Sequence, residues 1–152
     1  MKGLMKKIPD ECCEYYGNDK ILVCQENKRK FVMHNNSGRN LLKIRVDGCL
    51  IPSGTRCDFA VDDNSTDVYL IELKGKDLRK ACIQLKNSYK YFKKNFSYKT
   101  IHCRVVLSKI SSPAVASCEL KEMLKMVKEE KISFKYKNDR LDEILEWMKI
   151  HS

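Results

Sequence analysis

Two β-rich runs in the middle of the chain, RCDFAVD at 56 to 62 and VYLIELKG at 68 to 75, gather their charges at one end, and this constrains the fold more than any other feature. They flank a DNST-containing turn, the pattern of a β-hairpin. With the turn centred near Ser65, cross-strand partners have a constant index sum, so residue 58 faces residue 72. Strand alternation then sets Cys57, Phe59 and Val61 beside Tyr69, Ile71 and Leu73 on one apolar core face. The other face begins apolar near the turn, at Ala60, Val68 and Leu70, and ends charged, at Arg56, Asp58, Glu72 and Lys74.

A Glu-x-Lys on a strand is by itself usually a solvated edge with an intrastrand charge pair. Here VYLIELKG is too apolar for an exposed edge, so its charges fall at the end of a buried strand, where unpaired burial is costly. Two carboxylates directly opposite each other sit about 5 Å apart at their β-carbons and repel unless something positive lies between them. A divalent cation supplies that charge, and oxygen donors with room for water and phosphate suit Mg²⁺ or Mn²⁺ better than zinc. Glu72 and Lys74 are two apart on a strand and share a face, so the ammonium can stand beside an attacking water.

The surroundings alternate strands and helices. Residues 20 to 25 and 30 to 34 read as an N-terminal hairpin, and 41 to 47 as a strand with Leu42, Ile44 and Val46 inward. Residues 77 to 96 repeat apolar side chains at the spacing of a one-stripe helix, with Asp77 as its N-cap. A strand at 101 to 107, the loop SKISSPAVAS, a helix at about 118 to 131, a strand at 132 to 137 and a last helix at about 139 to 150 follow. Leu120, Met123, Leu124 and Val127 face inward from the first of these helices, and Leu141, Ile144, Leu145 and Met148 from the last. The expected fold is α/β: one domain over 1–152, a mixed central sheet flanked by helices, with its core at about 41–107, the hairpin at 20–34 and helices across 118–150.

Asp58, the turn, then Glu72-Leu73-Lys74 at the end of an apolar strand, then a helix, resembles the PD-(D/E)xK signature of restriction-endonuclease-like nucleases. The resemblance covers roughly 41 to 107. It implies that Asp58 and Glu72 bind metal with help from the Leu73 carbonyl, that Lys74 orients the nucleophile, and that a divalent-metal nuclease acts on DNA to leave a 5′-phosphate. Domains this small in that family often pair as homodimers to cut two strands, so the resemblance leaves a homodimer open. Gln84, on the flank of the following helix, resembles a glutamine that several branches aim at the site; the alternative is a plain polar flank residue. One branch follows that glutamine with Tyr four residues on, whereas this chain has Ser88 there and Tyr89 next. Cys57 stands where the signature has proline. Asp47, Glu11 and Glu14 remain open as an additional acidic ligand, Asp47 before Gly48 being more often a turn residue.

Thirty Lys and Arg against twenty Asp and Glu leave a charge of +10, fitting either a phosphate-binding protein or a plainly cationic surface. The segment 86 to 99 interleaves lysines with aromatics. Tyr89, Phe92 and Phe96 fall on the helix stripe, leaving Lys86, Lys90, Lys93 and Lys94, with Tyr91, to contact nucleic acid. The eight cysteines include no CxxC pair and no zinc spacing. Cys57, Cys82 and Cys103 sit in apolar patterns, which favours buried thiols in a reducing, cytoplasmic setting over a disulfide scaffold. His34, His102 and His151 are scattered, no Ser or Cys has a partner for nucleophilic catalysis, and no stretch reads as a signal peptide or membrane span. The rival to a nuclease is a module that keeps the fold without turnover and binds nucleic acid or a protein partner.

Overall fold

The computed structural model describes residues 7–74, 77–108, 117–130 and 132–146, with Lys74 described by its backbone only. The Lys74 side chain, Gly75, the loop at 109 to 116 and Met148 lie outside the described residues. Nine strands are described: β1 Cys13–Gly17, β2 Ile21–Glu26, β3 Arg29–Asn35, β4 Leu41–Arg45, β5 Phe59–Asp62, β6 Asp67–Lys74, β7 Thr100–Leu107, β8 Ile132–Asn138 and β9 Arg140–Leu145. Two helices, α1 Leu78–Asn95 and α2 Cys118–Glu130, and a short 3-10 turn at Asp10–Cys12 complete them. No helix among them is long and apolar enough to cross a membrane.

The strands form a six-stranded mixed sheet in the order β1-β4-β5-β6-β7-β8 and a three-stranded sheet in the order β2-β3-β9. β6 lies inside the larger sheet, antiparallel to β5 and parallel to β7. β5 and β6 are covered on both faces, which is why VYLIELKG is apolar at consecutive positions. Ala60, Val68 and Leu70 pack toward α1 and α2 in one core. Phe59, Val61, Tyr69, Ile71 and Leu73 pack against Leu22, Cys24, Phe31, Met33 and Leu141 of the smaller sheet in another.

The hairpin has the register set by a turn at Ser65, with Phe59 opposite Ile71, Ala60 opposite Leu70 and Val61 opposite Tyr69. At its open end the ladder is irregular. Asp58 N–H donates to Ile71 O at 3.1 Å, although Ile71 is already the partner of Phe59. An extra residue of this kind breaks the alternation. Cys57 consequently lies in the helix-side core with Ala60, and not on the Phe59 face as strict alternation predicts.

In α1 the Asp77 carboxylate accepts from Lys80 N at 2.9 Å, and Leu78, Ala81, Cys82, Leu85, Tyr89 and Phe92 form the buried stripe. Burying such side chains contributes about 1.5–3 kcal/mol each for the larger ones. In α2 only Leu120 and Met123 of the expected stripe are buried; Leu124 is 47% exposed.

Two expectations fail at the chain's ends. Residues 140 to 145 form β9, parallel to β3 with Phe31 opposite Leu141, and not a helix. The alternating set Leu141, Glu143 and Leu145 points inward, and Glu143 pairs there with Arg104 of β7, which is only 2% exposed. An inward glutamate interrupts the apolar alternation and makes a strand read as a helix; Ile144, expected inside, is 60% exposed. At the other end, Cys12 and Cys49 are joined by a disulfide, contrary to the expectation of thiols alone. It ties the 3-10 turn to the loop after β4. The other six cysteines are free, and Cys57, Cys82 and Cys103 are buried as their patterns predict.

Candidate functional site

The open end of the β5–β6 hairpin collects the charged residues. Glu72 follows Leu70 by two positions on β6 and so faces the helices; it is 0% exposed, in the middle of the larger sheet. Asp58 is half-buried at the irregular entry to β5, and its Oδ2 accepts from Leu73 N–H at 2.9 Å. Its carboxylate thus sits against the peptide that joins Glu72 to Leu73. The two acids share an electrostatic neighbourhood. Burial pushes the Cys57 thiol well above its ordinary value, Ser88 opposes this by hydrogen bonding, and the charges of Glu72 and Asp58 add to it. On the other side of the sheet, burial pushes the Cys24 thiol up to about 12, Lys43 opposes this, and Glu14 and Asp58 reinforce it. Asp58 is felt in both cores because it stands at the strand mouth between them.

Helix α1 is fastened to the segment entering β5 by three side chains. Ser88 Oγ accepts from Cys57 N at 2.8 Å, Gln84 Nε2 donates to Arg56 O at 3.3 Å, and Asn87 Nδ2 donates to Thr55 O at 3.2 Å. Ser88 Oγ donates in turn to Gln84 O at 2.9 Å. Gln84 is 6% exposed, and its Oε1 finds no hydrogen-bond donor among the described residues. A buried amide oxygen without a donor is unusual, since such groups are nearly always satisfied. Sequence reasoning singled out Gln84 and noted Ser88 only as a mismatch. The signal for Ser88 is its spacing: one turn after Gln84, it shares the flank that meets residues 55 to 57.

The other acidic candidates stand elsewhere. Asp47 is exposed at a turn, bridged to Ile51, where Gly48 takes a φ of +74°. Glu11 is exposed in the 3-10 turn, and Glu14 pairs with Lys43 at 3.5 Å and Arg45 at 3.3 Å. Among the described residues no three His, Cys, Asp or Glu side chains gather closely enough to cage an ion. Asp58 and Glu72 each bring a carboxylate to this end of the hairpin; oxygen donors of that kind suit Mg²⁺, which keeps several waters and takes one or two carboxylates. Carboxylate and carbonyl oxygens suit that ion better than zinc.

The four lysines divide. Lys86 pairs with Glu122 at 3.0 Å and Lys93 with Glu130 at 3.8 Å, both across the seam with α2, which commits them to helix packing. Lys90 and Lys94 are exposed and have no carboxylate partner among the described residues. They line a groove of about 420 Å³ with Arg56, Asn87, Tyr91 and Asn95. The chain matches no family model, no curated protein and no solved structure.

Proposed function

We propose that the protein hydrolyses phosphodiester bonds as a divalent-metal-dependent nuclease with a restriction-endonuclease-like core, acting on DNA. The observation that carries this reading is a fully buried carboxylate, Glu72, on an interior strand beside Asp58, which caps the next peptide. Burying a carboxylate there is costly and is tolerated when a counter-charge or a metal compensates it. A lysine two residues later on the same strand, Lys74, completes the Asp…Glu-x-Lys order of the PD-(D/E)xK pattern.

In this reading Asp58, Glu72 and the Leu73 carbonyl would hold Mg²⁺ or Mn²⁺, which would neutralise phosphate charge and act as a Lewis acid. Lys74 orients the attacking water and steadies the developing negative charge. Gln84 brings a buried amide oxygen to the same end of the hairpin. The hydrogen bond it donates to Arg56 O, with the one Ser88 Oγ accepts from Cys57 N–H, fixes the backbone that presents Asp58.

The test is a cleavage panel of single-stranded, double-stranded and branched substrates with Mg²⁺ and Mn²⁺, comparing wild type with Glu72→Gln. Cutting by wild type and loss of cutting in the variant, with nucleic-acid binding retained, supports the enzyme. Absence of cutting on every DNA and RNA substrate gives the fold to a binding module instead.

A further inference from the structure

The groove beside Arg56 extends this reading from the chemistry to the form of the substrate. Its walls are the segment entering β5 and the outward side of α1. Arg56, two residues before Asp58 in the chain, is the groove residue that links it to the candidate reaction centre, whose carboxylates do not themselves line it. Among the described residues, three cations line it and no carboxylate does. A neighbouring groove of about 400 Å³ shares Lys90 and Lys94 but contains Glu130, which already engages Lys93. Of the two, only the Arg56 groove offers its positive charge undivided to an anion.

The remaining lining is informative. Tyr91 is half-buried, and Phe92 and Phe96 meet its ring edge-on at 6.0 and 6.4 Å between centroids, so the ring is braced from the core side. Asn87 and Asn95 donate their amide N–H groups to the Thr55 and Tyr91 carbonyls, which fixes the two side chains at the rim. A braced aromatic ring among cations is the chemistry of a site for strands whose bases are free to stack on protein. Duplex DNA keeps its base faces stacked within the helix and offers a surface phosphates, sugars and base edges, none of which can stack on a ring. The volume, about 420 Å³, falls near the lower end of the roughly 300–1,000 Å³ of small-ligand pockets, which suits one nucleotide.

We infer that the groove binds an unpaired nucleic-acid strand, with phosphate on Arg56, Lys90 and Lys94 and a base against Tyr91. In the nuclease reading the bound strand continues from Arg56 toward Asp58, two residues on in the chain. The inference rests on the nuclease reading for its purpose, but binding is measurable without cleavage.

The experiment is fluorescence anisotropy in EDTA, with a short labelled oligothymidylate against a blunt duplex of the same length. The single strand is expected to bind more tightly. Tyr91→Leu should weaken single-strand binding roughly 5- to 150-fold, the range for removing the platform under one stacked base, and leave duplex binding unchanged. Lys90→Glu with Lys94→Glu, both exposed positions, should lower affinity and flatten the dependence of log affinity on log salt by about 0.7 for each phosphate no longer neutralised. Circular dichroism checks that each variant folds; if Tyr91→Leu does not, the lysine pair and Arg56→Gln carry the test. Equal or tighter duplex binding, or unchanged single-strand affinity in the folded variants, overturns the inference. Loss of cleavage in Glu72→Gln with binding intact leaves it standing, so the two readings fail separately.

Discussion

Asp58 Oδ2 and the Leu73 backbone N–H are joined by a hydrogen bond of 2.9 Å that fills the place of a ladder bond where β5 becomes irregular. One side chain thereby does two things: it satisfies a donor of the interior strand β6, and it carries negative charge to the Glu72 end of the hairpin.

These two roles separate by mutation. Asp58→Asn keeps an oxygen acceptor for Leu73 N–H and loses the charge, so it should fold with near wild-type stability and lose cleavage by about a hundredfold or more, several kcal/mol in the barrier. Asp58→Ala should lose cleavage equally and also about 1–3 kcal/mol of stability, because a backbone donor is left unsatisfied. Urea unfolding and single-turnover cleavage measure the two. Equal unfolding midpoints for Asn and Ala would show that the hydrogen bond contributes nothing.

Ser88 provides a second check of how the site is held. It is 0% exposed and accepts from Cys57 N, a backbone group at the base of the Asp58 bend. Ser88→Ala should cost about 1–3 kcal/mol by leaving that N–H without a partner, whereas Ser88→Thr retains the hydroxyl. If Ser88→Ala unfolds at the wild-type urea concentration, α1 does not fasten the bend in the way described.

The hairpin, its register from Phe59–Ile71 to Asp62–Val68 and the α1 stripe were legible because each rests on local periodicity, while the expected facing of Asp58 and Glu72 is not part of the ladder. What was hidden depends on contacts between elements far apart in sequence. Glu143 points inward because Arg104 waits there, and no local pattern announces a strand whose middle inward residue is charged. The bend at Asp58 moves Cys57 to the opposite core through one extra residue, and strict alternation cannot anticipate that. Lys86 and Lys93 look as available as Lys90 and Lys94 until α2 brings Glu122 and Glu130 beside them.

The turn end of the same hairpin makes a prediction about pH. Burial raises the Asp62 carboxyl above its ordinary value of 3.8, against the opposing hydrogen bonds from Tyr98 and Asn64. The folded state therefore holds this proton more tightly than the unfolded chain does. By linkage, the contribution of Asp62 is most favourable below the ordinary value and is lost as pH rises through the raised one. Asp62→Asn removes the titration yet can still accept from Asn64 N and donate to the Tyr98 oxygen. Its stability relative to wild type should increase as pH is raised from about 4 to about 7. A difference in unfolding free energy that stays constant over that range would refute the assignment.

The Cys12–Cys49 disulfide closes a sequence separation of 37 residues, with the hairpin β2–β3 and all of β4 inside the loop. A cross-link of that span removes unfolded-state freedom and typically contributes about 2–4 kcal/mol. Cys49 lies in the loop after β4, where Val46 N donates to Asp58 O at 3.0 Å, so the bond also steadies the neighbour of the Asp58 bend. Urea unfolding with and without dithiothreitol should differ by that amount, and Cys49→Ser should reproduce the reduced curve without reductant. Thiol titration of the unreduced, denatured protein should find six reactive cysteines of the eight in the chain. Eight titratable thiols together with identical unfolding curves would show that Cys12 and Cys49 remain reduced, and would return the protein to the all-thiol state that its sequence alone suggests.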